Sequence, residues 1–173
     1  MKNLLILCLF ALPMLLGAQD FKGKPTGKEK IESTKESFEQ AVLALVNKER
    51  KKRRRKPLVW NDQLAYAARY HAKDMAVDGY FDHDSKDKRK NGSHKKVCNV
   101  FDRMNQFLGK KVFARSENIA VGDPTPEAVM KAWMSSKGHR RNILDKDTKY
   151  IGIAYIEVEG SEWRSYWVQN FGL

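Results

Sequence analysis

The chain has 173 residues, 33 Lys+Arg against 21 Asp+Glu, a formal net charge of +12, 42% hydrophobic residues and two cysteines. That length allows one or at most two domains, and the apolar share excludes a wholly disordered chain in favour of a packed core. Two cysteines exclude a dense disulfide framework, and there is no Cys-x-x-Cys pair for zinc or redox chemistry.

Residues 1 to 18 read as a signal peptide: Lys2 opens a positive head, Leu4 to Leu16 is apolar, and Gly17-Ala18 precedes the polar Gln19. Thirteen apolar positions fall short of the ~20 that a spanning helix needs, which argues against a retained anchor, and Cys8 lies too early for lipid attachment. Cleavage near Ala18 would leave 155 residues at +11 in a secreted protein, extracellular or periplasmic. Cys98 would then be the only thiol, read first as a small buried hydrophobe, with Lys95 and Lys96 able to lower its pKa if it is exposed.

The positive charge sits in two runs. Lys48 to Lys56 carries +7 and Lys86 to Lys96 carries +5, so the rest of the mature chain nets to −1. Such runs read first as solvated loops and second as contacts for a polyanion or cell surface. Nucleic acid is disfavoured, because Lys48 to Lys56 has no aromatic side chain to stack on bases.

In chain order, Gln19 to Glu32 reads as a flexible linker and the folded domain spans residues 33 to 173. Ser33 and Glu36 have capping-box spacing, with Phe38, Val42, Leu45 and Val46 on one face of a helix that Pro57 stops. Asn61 or Asp62 caps a second helix, with Leu64, Ala68, His71 and Met75 on its inner stripe and Gly79 at its end; His71 is thus a core histidine first. Asp82 to Gly92 should be irregular, His94 a solvated bystander, and Val100 to Phe107 a short helix ending at Gly109. Thr125-Pro126-Glu127 starts another helix that Gly138 closes. Tyr150 to Val158 and Arg164 to Phe171 read as an antiparallel hairpin. Helices first and strands last give an α+β fold.

No nucleophile elbow, zinc-protease helix, P-loop or dinucleotide-binding turn is present, so no reaction follows from spacing alone. What stands out is His83 in Phe81-Asp82-His83-Asp84-Ser85, Glu117 in Ser116-Glu117-Asn118-Ile119-Ala120, and His139 in Gly138-His139-Arg140-Arg141-Asn142-Ile143-Leu144. With these, the ordered set Leu45-Val46-Asn47-x-x-Arg50, Pro57-Leu58-Val59-Trp60-Asn61-Asp62, Ile151-Gly152-Ile153-Ala154 and Tyr166 to Gly172 resembles the bacterial branch of the CAP superfamily, also called SCP-like. The resemblance implies a three-layer α-β-α sandwich around an antiparallel sheet. It also implies a cleft lined by two histidines and one or two glutamates. His83, Glu117 and His139 match it, and Ser136 stands near the position of the second glutamate.

On that resemblance the ligand-binding set is His83, Glu117, His139 and Ser136. His83 and His139 are candidate ligands for a weakly held zinc, and Glu117 is the one candidate for acid-base chemistry. A binding module for a small-molecule, lipid or protein ligand is favoured, with a metal-assisted hydrolase as alternative and a polyanion-binding surface protein as a third reading.

Overall fold

The computed structural model describes residues 23–173. The expected signal peptide and its cleavage point lie outside the described residues. Within them the order is α1 (Glu36–Lys52), β1 (Val59–Trp60), α2 (Asp62–Asp78), β2 (Ser85–Lys88), β3 (His94–Cys98), α3 (Val100–Phe107), β4 (Ala114–Val121), α4 (Pro126–Ser135), α5 (Lys137–Leu144), β5 (Tyr150–Glu157) and β6 (Ser165–Gly172).

Residues i and i+2 of a strand share a face, and here each face has its own helical layer. Ile151, Ile153 and Tyr155 of β5 and Trp167 and Phe171 of β6 pack against Val42 and Val46 of α1, Trp133 of α4 and Ile143 of α5. On the opposite face Ala154, Ile156, Tyr166 and Val168 pack against Ala68, Ala72 and Met75 of α2, and α3 closes over α2 through Met104 and Phe107. The result is the α+β three-layer sandwich expected.

The central sheet runs β1-β5-β6-β4. It is mixed rather than wholly antiparallel, because the two-residue β1 pairs parallel with β5. The β5–β6 hairpin stands in the register Ile151↔Phe171 to Glu157↔Ser165. Helix α2 lies directly on β5 at Gly152, where a Cβ would come within 2.1 Å of the Ala65 nitrogen.

Several local expectations are corrected. Ser33 and Glu36 form no capping box: α1 begins after Lys35 with no side-chain cap. Pro57 does not stop α1, which ends at Lys52 and reverses through Arg54 at φ 54°. Residues 82–92 are not all irregular, since Ser85–Lys88 pairs with His94–Cys98. Gly138 lies inside α5; the break after α4 falls at Ser136. Residues 23–32 have no helix or strand yet are held to the body rather than hanging free. The Gly23 N–H donates to Asp87 at 2.8 Å, and Gly27, at φ 81°, lies so close to the Gln106 carbonyl that a Cβ would be 1.9 Å from its oxygen.

Candidate functional site

Helix α2 ends at Gly79, whose φ of 69° needs no Cβ and whose N–H caps the Met75 carbonyl. The chain then turns through Asp82, which accepts from the Asp84 N–H at 2.8 Å and from Lys86 Nζ at 2.7 Å. The Asp82 carbonyl meets Nε2 of His71 at 2.9 Å. A carbonyl only accepts, so Nε2 of His71 carries the proton. Burial, helped by the Arg103 charge, pushes the His71 pKa down to about 3, leaving a neutral ring that anchors the loop bearing His83.

Glu117 sits in β4 on the face turned towards α2 and α3. Its Oε1 meets Nδ1 of His83 at 2.9 Å, and its Oε2 accepts from the Arg103 guanidinium at 2.5 Å. Arg103 also donates to the His83 carbonyl at 2.9 Å and to Ser85 Oγ at 3.1 Å. The Glu117 and Arg103 side chains are sealed at 1% and 0% exposure, whereas the His83 side chain is 50% exposed. Burial alone would raise the Glu117 pKa, but Arg103 and the neighbouring imidazoles outweigh it and hold the carboxyl below its ordinary value. The Glu117 hydrogen bond raises the His83 pKa against the pull of partial burial.

His139 enters from α5. Its pKa is lowered, first by burial and then by the charge of His83, so the two imidazoles feel each other electrostatically. The Asn118 amide donates to the His139 carbonyl at 3.2 Å and to Gln169 at 3.0 Å. Asn142 donates to the Glu117 carbonyl at 3.2 Å and to Asn118 Oδ1 at 2.9 Å, tying α5 to the free edge of β4. Ser136 stands at the α4–α5 junction, where its carbonyl accepts from the Arg140 N–H at 2.9 Å.

The structure therefore couples His83 directly to Glu117, ties the His139 backbone to Asn118 of β4, and leaves Ser136 as an uncharged joint between helices. Arg103 is the residue that sequence reasoning missed, although a signal existed: it falls on the inner stripe of α3 with Val100, Met104 and Phe107, where a cation needs a buried partner. His94 is no bystander; its Nε2 bonds the Asp78 carbonyl at 2.8 Å and its ring lies against Tyr80. Cys98 is 3% exposed and its thiol pKa is raised by burial, in line with a small buried hydrophobe.

A catalytic zinc does not fit these groups. Among the described residues, no cluster of three or more His, Cys, Asp or Glu is arranged to hold a metal ion. With both Glu117 oxygens engaged, the donors reduce to Nε2 of His83 and a nitrogen of His139, one short of the usual three.

The sequence profile described as "CAP: Cysteine-rich secretory protein family" matches residues 43–171. A Bacillus subtilis protein, YkwD, is 40% identical over 136 residues, 79% of this chain and 49% of its own length. A second from the same organism, the membrane protein YlbC, is 32% identical over 87% of this chain and 38% of its own length. The chain thus spans half or less of these relatives. Among solved structures, an extracellular SCP-domain protein from Bacillus anthracis superposes with a TM-score of 0.62 at 28% identity, covering 79% of this chain and 40% of the other. An outer surface protein of Borrelia burgdorferi gives 0.64 at 21% identity over 82% of this chain and 95% of its own, a likeness of fold.

Proposed function

The chain belongs to the CAP, or cysteine-rich secretory protein, family, and on that premise we propose that it acts outside the cell as a binding module, presenting His83 to its ligand. The leader-like residues 1 to 18 support the location, as does the similar SCP-domain protein described as extracellular. No helix among the described residues is long and apolar enough to cross a membrane.

One observation carries the binding reading: Glu117 is buried, held below its ordinary pKa, and engaged at both oxygens by His83 and Arg103. A carboxylate so placed reaches no substrate and takes no proton readily, so its role is to orient His83. What the site offers is the outer edge of the His83 ring, half exposed and, through the Glu117 hydrogen bond that raises its pKa, more easily protonated than a free imidazole. The ligand is accordingly a small molecule or lipid with an anionic acceptor, a carboxylate or a phosphate.

Saturation-transfer NMR with paired fragments, each carboxylate or phosphate against its neutral amide or alcohol, tests this. The anionic member should bind better to wild type, and His83→Ala should erase the preference. Turnover of peptide or ester substrates that disappears in His83→Ala would instead establish the hydrolase.

A further inference from the structure

Four depressions on the α1/α5 side of the sheet share their linings. The first, between β4, α5 and the loop after α1, is edged by Arg55, Arg115, Arg141 and Lys146. Arg55 and Lys146 also edge a second that runs past Lys56, Arg141 edges a third at the start of α5, and Arg140 joins the third to a fourth beside Lys48. Together the linings hold thirteen Lys and Arg against three acids, +10 of the chain's +12.

Two of those acids, Glu49 and Asp145, are already neutralised within the surface, by Lys52 and Arg53 and by Arg115. At the joints, Arg55, Arg141 and Lys146 are exposed and make no ion pair with any described residue.

The belt is built rather than incidental. Arg50, fully buried, donates to the carbonyls of Lys56 and Ile143 at 2.7 Å each, Asp145 at 2.9 Å and Thr148 at 3.4 Å. One guanidinium thereby fixes the basic loop, the end of α5 and the following turn against each other. Ser116, whose Oγ is buried without a hydrogen-bond partner, lines the first depression. Tyr150 is the one aromatic side chain in the four linings, so bases would find little to stack on.

We propose that this belt, assembled from the end of α1, α5 and the α5–β5 turn, is a binding surface for an extended anionic polysaccharide. It excludes the Lys86–Lys96 run, whose hairpin packs beside α2 on the other layer, and it does not rest on the cleft reading.

Calorimetry with a heparin oligosaccharide, used as the probe, tests the surface on three proteins. One is wild type. The second is Arg55→Ala/Arg141→Ala/Lys146→Ala. The third is Lys88→Ala/Arg89→Ala/Lys90→Ala, which removes the same charge from the hairpin tip. The joint variant should bind on the order of tenfold more weakly, the hairpin variant should match wild type, and Arg141→Glu alone should repeat the loss. Equal weakening of both triple variants would reduce the effect to net charge and overturn the belt, as would unchanged binding in all. Tighter binding of a charge-matched single-stranded DNA would replace the polysaccharide with nucleic acid.

Discussion

Replacing Arg103 by Met keeps much of the side-chain volume and deletes the cation. Glu117, with its side chain 1% exposed, would then be a buried carboxylate held only by His83. Breaking a buried pair from one side costs about 3–5 kcal/mol, and three hydrogen bonds from Arg103 vanish with it. At roughly 2–4 °C per kcal/mol for a chain of this size, Tm should fall by about 10 °C.

The pH dependence should change as well. Burial, no longer opposed by Arg103, would raise the folded-state pKa of Glu117 above its unfolded value. The variant would therefore bind more protons folded than unfolded and lose stability as pH rises, whereas in wild type this lowered group loses stability only as pH falls through its folded value. Thermal unfolding followed by tryptophan fluorescence between pH 5 and 8 measures both effects, and Arg103→Met/Glu117→Gln should recover part of the loss. A single variant within about 1 kcal/mol of wild type, well short of the cost of an uncompensated buried charge, would refute the reasoning.

His83 should titrate above the ordinary histidine value by NMR, and Glu117→Gln should drop it below that value, because partial burial and the Arg103 charge are then opposed only by Asp82. By linkage the His83–Glu117 contact contributes fully below the unfolded pKa of His83 and is lost as pH rises through the higher folded value. Arg50→Lys, one ammonium in place of a fork that satisfies four carbonyls, should cost about 2–3 kcal/mol in urea unfolding. Gly152→Ala should fail to give folded protein, since its Cβ would press on α2 at Ala65 and Leu64. Calorimetric zinc titration should show weak binding at pH 7.5 that disappears at pH 5.5 and in His83→Ala; a tight site would show that a further ligand joins the histidines.

Helix α2 was legible end to end because local chemistry sets both its limits, the Asn61 side chain capping the Leu64 N–H and Gly79 taking the left-handed turn. The β5–β6 hairpin was legible because both strands are apolar and β-branched or aromatic. Strand β4 was not, since its Ser116-Glu117-Asn118 stretch commits side chains to the site and to ties with α5 and β6 instead of an apolar face. The break between α4 and α5 was hidden because helical periodicity runs on through Ser136, and β2–β3 because lysines dominate it. Lys48 to Lys56 misled for another reason: Arg50 belongs to its charge count but to the interior in space. At the site, the family resemblance supplied His83, Glu117 and His139. Arg103 needed three dimensions, because its partners come from the 83–85 loop and from β4.

The binding role assigned to His83 is tested most directly by its own ring nitrogens. In a ¹⁵N NMR titration with the preferred anionic fragment, Nε2 of His83 should shift with ligand while Nδ1 keeps its signature of a bond to Glu117, and the fragment should be recovered intact. A His83 ring that does not respond to bound ligand, or a fragment converted to product, would contradict the account.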